Sequence, residues 1–170
     1  MPTCFLSLGS NVRPRENLSR AIRALGSRLV VTAISTVYLT EPIGMNNAAA
    51  FYNCVVKAES YSDPYFLKTS ILRDLESSLG RVRSTDRYSD RVIDIDLLLY
   101  GQMVIEELKV PDPDIFVRPY LASCICELDG SLIIPGSGVR ICSIAKELGS
   151  TGMKPLLGFT KDMNREAGLL

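Results

Sequence analysis

The chain has 170 residues, 46% of them hydrophobic and 22% charged, the composition of one globular domain with enough length for a full core. Lysine plus arginine and aspartate plus glutamate number 19 each, so the formal net charge is zero, which argues against a general nucleic-acid or anionic-membrane binder. Histidine is absent, which excludes Ser-His and Cys-His nucleophile schemes and His-ligated metals.

The five cysteines, Cys4, Cys54, Cys124, Cys126 and Cys142, are odd in number and scattered. They read as reduced, mostly buried thiols of a cytoplasmic protein. The N-terminus has no basic segment followed by a long apolar run, so no signal peptide is expected. No uninterrupted apolar stretch approaches about 18 residues, so no membrane span is expected.

In chain order, Thr3 to Leu8 is a short apolar run ending at Gly9-Ser10-Asn11. It reads as a first strand closed by a structural turn. Arg13 to Leu25 is helical, with Leu18, Ala21, Ile22 and Leu25 on one face and Gly26 after them. Leu29 to Leu39 is a second, β-branched strand, broken by Thr40-Glu41-Pro42-Ile43-Gly44 and a loop to Ala50. Phe51 to Ala58 is a third strand, and alternation puts Phe51 and Asn53 on one face. Asp63-Pro64 starts a helix that buries Phe66, Leu67, Ile71 and Leu75 and stops at Gly80.

Gly80 to Gly101, GRVRSTDRYSDRVIDIDLLLYG, then divides into an arginine-rich half and a strand-like half. On the strand, Asp94 and Asp96 share one face while Ile93, Ile95 and Leu97 share the other. Their Cα atoms would lie about 6.5–7 Å apart, from a rise of about 3.3 Å per residue. Two carboxylates so spaced suit hard divalent cations, which combine one or two carboxylates with substrate phosphates. Arg81, Arg83, Arg87 and Arg91 supply guanidinium forks that match phosphate oxygens. Taken alone, the stretch also fits a solvated edge strand whose aspartates pair with a surface loop.

Farther on, Val104-Ile105 is a short edge strand, and Arg118 to Leu128 is a helix. Leu132-Ile133-Ile134 is a short strand, and Ile141 to Leu148 is a last helix ending at Gly149. The expectation is one domain over 1–170, with 151–170 a loosely ordered tail. The order β-α-β-β-α-β is the ferredoxin-like, split βαβ arrangement of an α+β fold, an antiparallel sheet with additional C-terminal strands and helices.

The run G-R-x-R, R-x-x-x-R, I-D-I-D-L-L-L-Y-G resembles the signature of the 6-hydroxymethyl-7,8-dihydropterin pyrophosphokinases, a folate-pathway family. The resemblance extends from Ser7-Leu8-Gly9-Ser10-Asn11 to about Pro135. It implies the same fold, with both main helices on one face of the sheet. It implies an ATP-dependent transfer of diphosphate to the hydroxymethyl oxygen of the pterin, releasing AMP.

By the same resemblance, Asp94 and Asp96 bind two Mg²⁺ ions that bridge ATP and the acceptor. Arg81 and Arg91 stabilise the transferring phosphates. Phe51 and Tyr120 sandwich the pterin, Asn53 pairs with its edge, and Thr40, Pro42, Ile43 and Gly44 form the loop approaching it. Arg83, Arg87, Asp112, Arg118 and Glu76 match positions near the nucleotide, although Glu76 also suits a plain helix surface. Tyr88 stands where some relatives carry tryptophan, and the loop 83–90 is expected to close over bound substrates. One departure is Val110-Pro111-Asp112-Pro113, where the family commonly has Val-Pro-His-Pro; another is Ile115-Phe116-Val117, where the family is more polar. The enzyme is expected to be a cytoplasmic monomer. The alternative is a relative that binds pterin or nucleotide with little turnover.

Overall fold

The computed structural model describes residues 1–41, 49–82 and 90–169. Its centre is β4 (Phe51–Glu59), which pairs antiparallel with β1 (Thr3–Ser10) on one side. On the other side β4 pairs with two strands in succession, β2 (Val30–Ile34) and β3 (Tyr38–Thr40). Beyond β1 lies β5 (Asp94–Tyr100), and beyond β3 lies β6 (Met153–Pro155). The path across the sheet is therefore β5-β1-β4-β3-β6, with every pairing antiparallel.

Strand alternation divides the apolar residues between two cores. Leu6, Leu8, Val56, Ile95 and Leu97 face α1 (Pro14–Gly26) and the long helix after Asp63. That helix begins as α2 (Pro64–Phe66), passes through a π turn at Leu67–Ile71, and continues as α3 (Leu72–Ser78). Asp63 caps it by accepting the N–H groups of Tyr65 and Phe66. Phe5, Val55, Leu98 and Leu99 belong to the opposite core, toward α4 (Pro119–Leu128) and α5 (Ile141–Leu148), the adjacent Leu98 and Leu99 both doing so because the β1–β5 register shifts there. The ferredoxin-like α+β order holds, with α1 and α3 on one face.

Several local readings change, and Phe66, expected in the core, is exposed. The single strand expected over Leu29 to Leu39 is broken at Ser35–Val37. Ser35 donates its N–H to Val55 O and accepts the Val55 N–H on its hydroxyl, both at 2.9 Å. The Glu127 carboxylate then accepts Thr36 N–H at 2.8 Å and the Tyr38 hydroxyl at 2.6 Å. Side chains thus replace ladder partners at the break. Val104-Ile105 and Leu132-Ile133-Ile134 are not strands; each region contributes an isolated bridge, Ile105 with Val110 and Ile133 with Arg140.

The thiols are not all reduced. Cys126 on α4 and Cys142 on α5 form a disulfide with Cα atoms 5.1 Å apart, because the two helices pack side by side. Cys4, Cys54 and Cys124 are free and buried.

The segment after Ser150 is not a loose tail. It forms β6 and then α6 (Leu157–Glu166), whose Phe159 and Met163 are buried against the α1 side of the sheet. Leu156 N–H reaches Val37 O, and the Thr160 hydroxyl accepts Val37 N–H, each at 2.8 Å. The Arg15 guanidinium lies 4.9 Å from the centre of the Phe159 ring. Phe159→Ala is expected to lower unfolding free energy by about 3 kcal/mol, the range for truncating a buried aromatic. A urea melt reads this directly, and a change below about 0.5 kcal/mol would mean that α6 is not part of the cooperative core.

Candidate active site

Directly opposed residues in an antiparallel pair project to the same face, so the sheet register lays out the site. One row runs Asp94–Gly9–Asn53–Tyr38 across β5, β1, β4 and β3. Next to it, Phe51, Thr40 and Met153 form a row across β4, β3 and β6. Asp96 opposes Ser7 two residues along. Above these rows is a cleft of about 800 Å³, bounded on the far side by the Asp112–Leu121 segment that leads into α4.

The cleft gathers Thr40, Phe51, Asn53, Arg91, Asp94, Asp96, Asp112, Arg118 and Tyr120 from five separate stretches of chain. Pro42, Ile43, Gly44, Arg83, Arg87 and Tyr88 lie outside the described residues, as does most of the loop 83–90. Glu76 and Arg81 do not line the cleft; they stand behind it. Glu76 is no surface residue: it is buried, and its Oε1 accepts both Ile95 N–H at 2.8 Å and the Arg81 guanidinium. Arg81 Nη1 also reaches Asp94 Oδ1, while Arg91 Nη1 donates to Asp94 Oδ2 at 2.6 Å. Asp94 is thus held between two guanidiniums on its two oxygens.

Asn11 explains how Arg91 is aimed. Its Oδ1 accepts Arg91 N–H at 2.6 Å, and its own N–H donates to Arg91 O at 3.1 Å. Ser10 fastens the same junction by donating its hydroxyl to Val92 O at 2.6 Å. The end of β1 therefore clamps the chain entering β5.

Asp112 serves as a cap. Its Oδ1 accepts Asp114 N–H at 2.9 Å, and its N–H donates to Leu98 O at 2.9 Å. Arg118 pairs with Asp114 instead, Nε to Oδ2 at 2.6 Å. Burial raises the pKa of Asp112, while the hydrogen bond from Asp114 opposes the rise. Of the less polar residues after it, Ile115 is core, whereas Val117 is exposed on the cleft wall.

Asp96 sits on the cleft floor, open to solvent on one side and surrounded by protein elsewhere. Desolvation, then the charges of Asp94, Glu76 and Asp112, push its pKa up to about 6. Among the described residues no group of three or more acids, cysteines or histidines is arranged to hold a metal. Two carboxylates beside an open cleft fit Mg²⁺, which takes few protein ligands and completes its shell with water and phosphate oxygens.

Gly9 is the residue that sequence reasoning misplaced. It lies within β1, not in a turn. A Cβ there would meet Asn53 Oδ1 at 2.7 Å and the Phe51 ring at 4.0 Å. Asn53 cannot easily retreat, because its Nδ2 donates to Thr40 Oγ1 at 2.7 Å. A glycine inside a strand signals such a close approach. Thr151, Gly152 and Met153 also line the cleft and gave no signal in the sequence beyond the Gly itself.

A family model described as 7,8-dihydro-6-hydroxymethylpterin-pyrophosphokinase (HPPK) matches residues 5–130. The chain is 36% identical over 138 residues to the 2-amino-4-hydroxy-6-hydroxymethyldihydropteridine pyrophosphokinase of Aquifex aeolicus, covering 79% of this chain and 85% of that one. The Haemophilus influenzae protein of the same name is 32% identical over 144 residues, with coverage of 82% and 89%. The folic acid synthesis protein fol1 of Pneumocystis carinii is 31% identical over 159 residues, where 91% of this chain matches 21% of that longer protein. In three dimensions the wild-type HPPK-DHPS of Plasmodium falciparum, solved with pteroate, has a TM-score of 0.70 at 12% identity. That likeness covers 86% of this chain and 44% of the parasite chain, and it is a likeness of fold.

Two outcomes follow from the geometry. Gly9→Ala displaces Asn53 from beneath the cleft, so acceptor affinity is expected to fall about tenfold with a smaller effect on nucleotide; equal affinity by titration would show that Asn53 is not fixed. The second concerns pH. In the metal-free chain Asp96 has a folded pKa of about 6 against an ordinary value of 3.8, so the folded state binds the proton more tightly. Its favourable contribution is complete below about pH 4 and is lost as pH rises through 6. In EDTA, Asp96→Asn should therefore melt above the parent at pH 7, with the gap closing near pH 4; a gap that does not change with pH would contradict this.

Proposed function

The chain belongs to the 7,8-dihydro-6-hydroxymethylpterin-pyrophosphokinase family, pyrophosphokinases of folate biosynthesis that transfer diphosphate from ATP to the hydroxymethyldihydropterin, and we propose that its cleft performs this transfer with Asp94 and Asp96 as the metal-binding pair. The supporting observation is that these carboxylates and the Phe51–Asn53–Tyr120 set, on strands and a helix far apart in sequence, line one cleft.

The acceptor ring lies between Phe51 and Tyr120, the flat faces that stacking requires. Asn53 presents an amide to its edge, held in orientation by Thr40. The acceptor's hydroxymethyl oxygen forms a bond to the β-phosphorus of ATP, the bond from that phosphorus to the α–β bridging oxygen breaks, and AMP leaves while the hydroxyl proton passes to solvent. Two Mg²⁺ ions at Asp94 and Asp96, when bound, supply charge neutralisation for the phosphates and polarise their oxygens. Arg91, aimed by Asn11, offers its guanidinium to charge that develops on the transferring phosphates, and Arg81, backed by Glu76 behind the cleft, adds positive charge through Asp94. Glu76 thereby acts as a positioning residue for Arg81. Asp112, turned to its own N-terminal cap, leaves less negative charge aimed at the nucleotide than an outward carboxylate would. Arg118 belongs to the nucleotide side of the cleft, with Arg83 and Arg87 as further phosphate contacts.

The need for ATP supports a cytoplasmic setting. Since β6 joins the sheet that holds β1 to β5, residues 1–170 are read as a single domain.

Incubation with MgATP and the hydroxymethyldihydropterin should give acceptor-dependent AMP. Asp94→Ala and Asp96→Ala should each cut that rate by on the order of 10² to 10³ while leaving the melting temperature within a few degrees. ADP in place of AMP would point to ordinary phosphoryl transfer. Absence of AMP with retained pterin binding would point to a binding relative, and near-normal AMP from either variant would remove the two-aspartate site.

A further inference from the structure

Residues 131–170 lie beyond the stretch matched by the family model, yet Thr151, Gly152 and Met153 line the cleft. Their position follows from pairing. β6 adds to the free edge of β3, with Met153 opposite Thr40, Lys154 opposite Leu39, and Pro155 opposite Tyr38. Thr40 is in turn opposite Phe51 on β4. Opposed residues share a face, so Phe51, Thr40 and Met153 project together. At a strand spacing of about 4.8 Å, the Met153 backbone lies about 10 Å across the sheet from that of Phe51.

The direction matters as much as the distance. Asp94 and Asp96 stand on β5, at one edge of the sheet, and Met153 stands on β6, at the other. An acceptor stacked on Phe51 with its reacting oxygen toward the aspartates directs its opposite ring edge toward Thr40 and Met153. β6 cannot drift from this place, because Leu156 N–H and Thr160 Oγ1 bond the Val37 backbone and Phe159 is buried beneath. Gly152, with φ of 76°, is the bend that brings the chain into β6 beside the cleft.

We propose that Met153 is a specificity-determining residue, the end wall of the acceptor pocket against the ring edge remote from the reacting hydroxymethyl group. The inference rests on the function proposed above. A thioether suits such a wall, being unbranched, polarisable and favourable at the edge of an aromatic ring. It sets how long an acceptor the pocket admits, while Asn53 sets the hydrogen-bonding pattern.

The test uses the full chain and three readouts. Met153→Ala should raise the acceptor KM about fivefold, the scale of one lost sulfur–ring contact, and leave the ATP KM within about twofold. It should also improve use of an acceptor carrying an added alkyl group on the remote ring edge, relative to the parent. Met153→Leu should restore the parent values, since volume-conserving apolar swaps are tolerated. Acceptor binding followed by pterin fluorescence reads the same wall without turnover, so a parent chain that bound acceptor but formed no AMP would sink the proposed function and not this inference. Unchanged acceptor affinity in Met153→Ala would overturn it. So would parallel losses for acceptor and ATP together with a lower melting temperature, the signature of a purely structural residue.

Discussion

The site depends on a buried carboxylate that stands behind the cleft. Glu76 sits under β5 and accepts the Ile95 N–H, a backbone donor between the two aspartates. The same oxygen receives Arg81, which reaches on to Asp94. A buried charge is tolerated only when paired and hydrogen-bonded, so the helix carrying Glu76 and the strand carrying Asp94 and Asp96 cannot shift separately. The apolar face of β5, with Ile93, Ile95 and Leu97 in the core beside Leu72 and Leu75, holds the same contact from the other direction. Packing and charge agree on one register, and that register places Asp94 level with Gly9 and Asn53.

The second constraint is an absence. β1 runs between β5, which carries the two aspartates, and β4, which carries Phe51 and Asn53, and any side chain at Gly9 on that face would push Asn53 out of line. The floor of the cleft is therefore bare backbone, flanked by carboxylates on one side and an amide on the other. Asn53 is nearly buried and bonded to Thr40, which removes most of its rotamer freedom before any ligand arrives. Preorganisation of this kind lowers the ordering cost that binding otherwise carries.

The strand of alternating aspartates was legible because a period of two assigns faces without reference to the rest of the chain, and the arginine cluster was legible from composition alone. The helices were legible where four apolar residues recur at helical spacing, as in α1. What escaped depends on partners distant in sequence. Gly9 looks like a turn residue until the neighbouring strand brings Asn53 against it. Glu76 looks like a surface residue because its helix is amphipathic, and only tertiary placement shows the backbone N–H that it satisfies. β6 has three residues and pairs through backbone groups that every sequence possesses, so no pattern marks it. The helix after it buries only Phe159 and Met163, too few for a periodicity. Cys126 and Cys142 escaped because an odd, scattered set of cysteines says nothing about which two helices lie side by side.

Among the described residues, the arginines at the cleft are each engaged by acids. Arg118 is committed to Asp114, and Arg81 is divided between Glu76 and Asp94. Arg91 also donates to Asp94. Asp96, by contrast, has no arginine of its own among the described residues, and the surrounding acids raise its pKa. The field at Asp96 therefore favours an added positive charge, whereas Asp94 already holds two. Asp94 has two oxygens, each engaged by a guanidinium, so a cation held there would have to displace at least one of them. The displaced group remains tethered at the cleft, Arg91 by the Asn11 clamp and Arg81 by Glu76. A guanidinium without its carboxylate, fixed beside a cation, has the geometry and charge that a polyphosphate requires. With the metal site proposed for Asp94 and Asp96, affinity for the cation and affinity for the nucleotide would be two sides of one coupling free energy, linked through the Asp94 carboxylate.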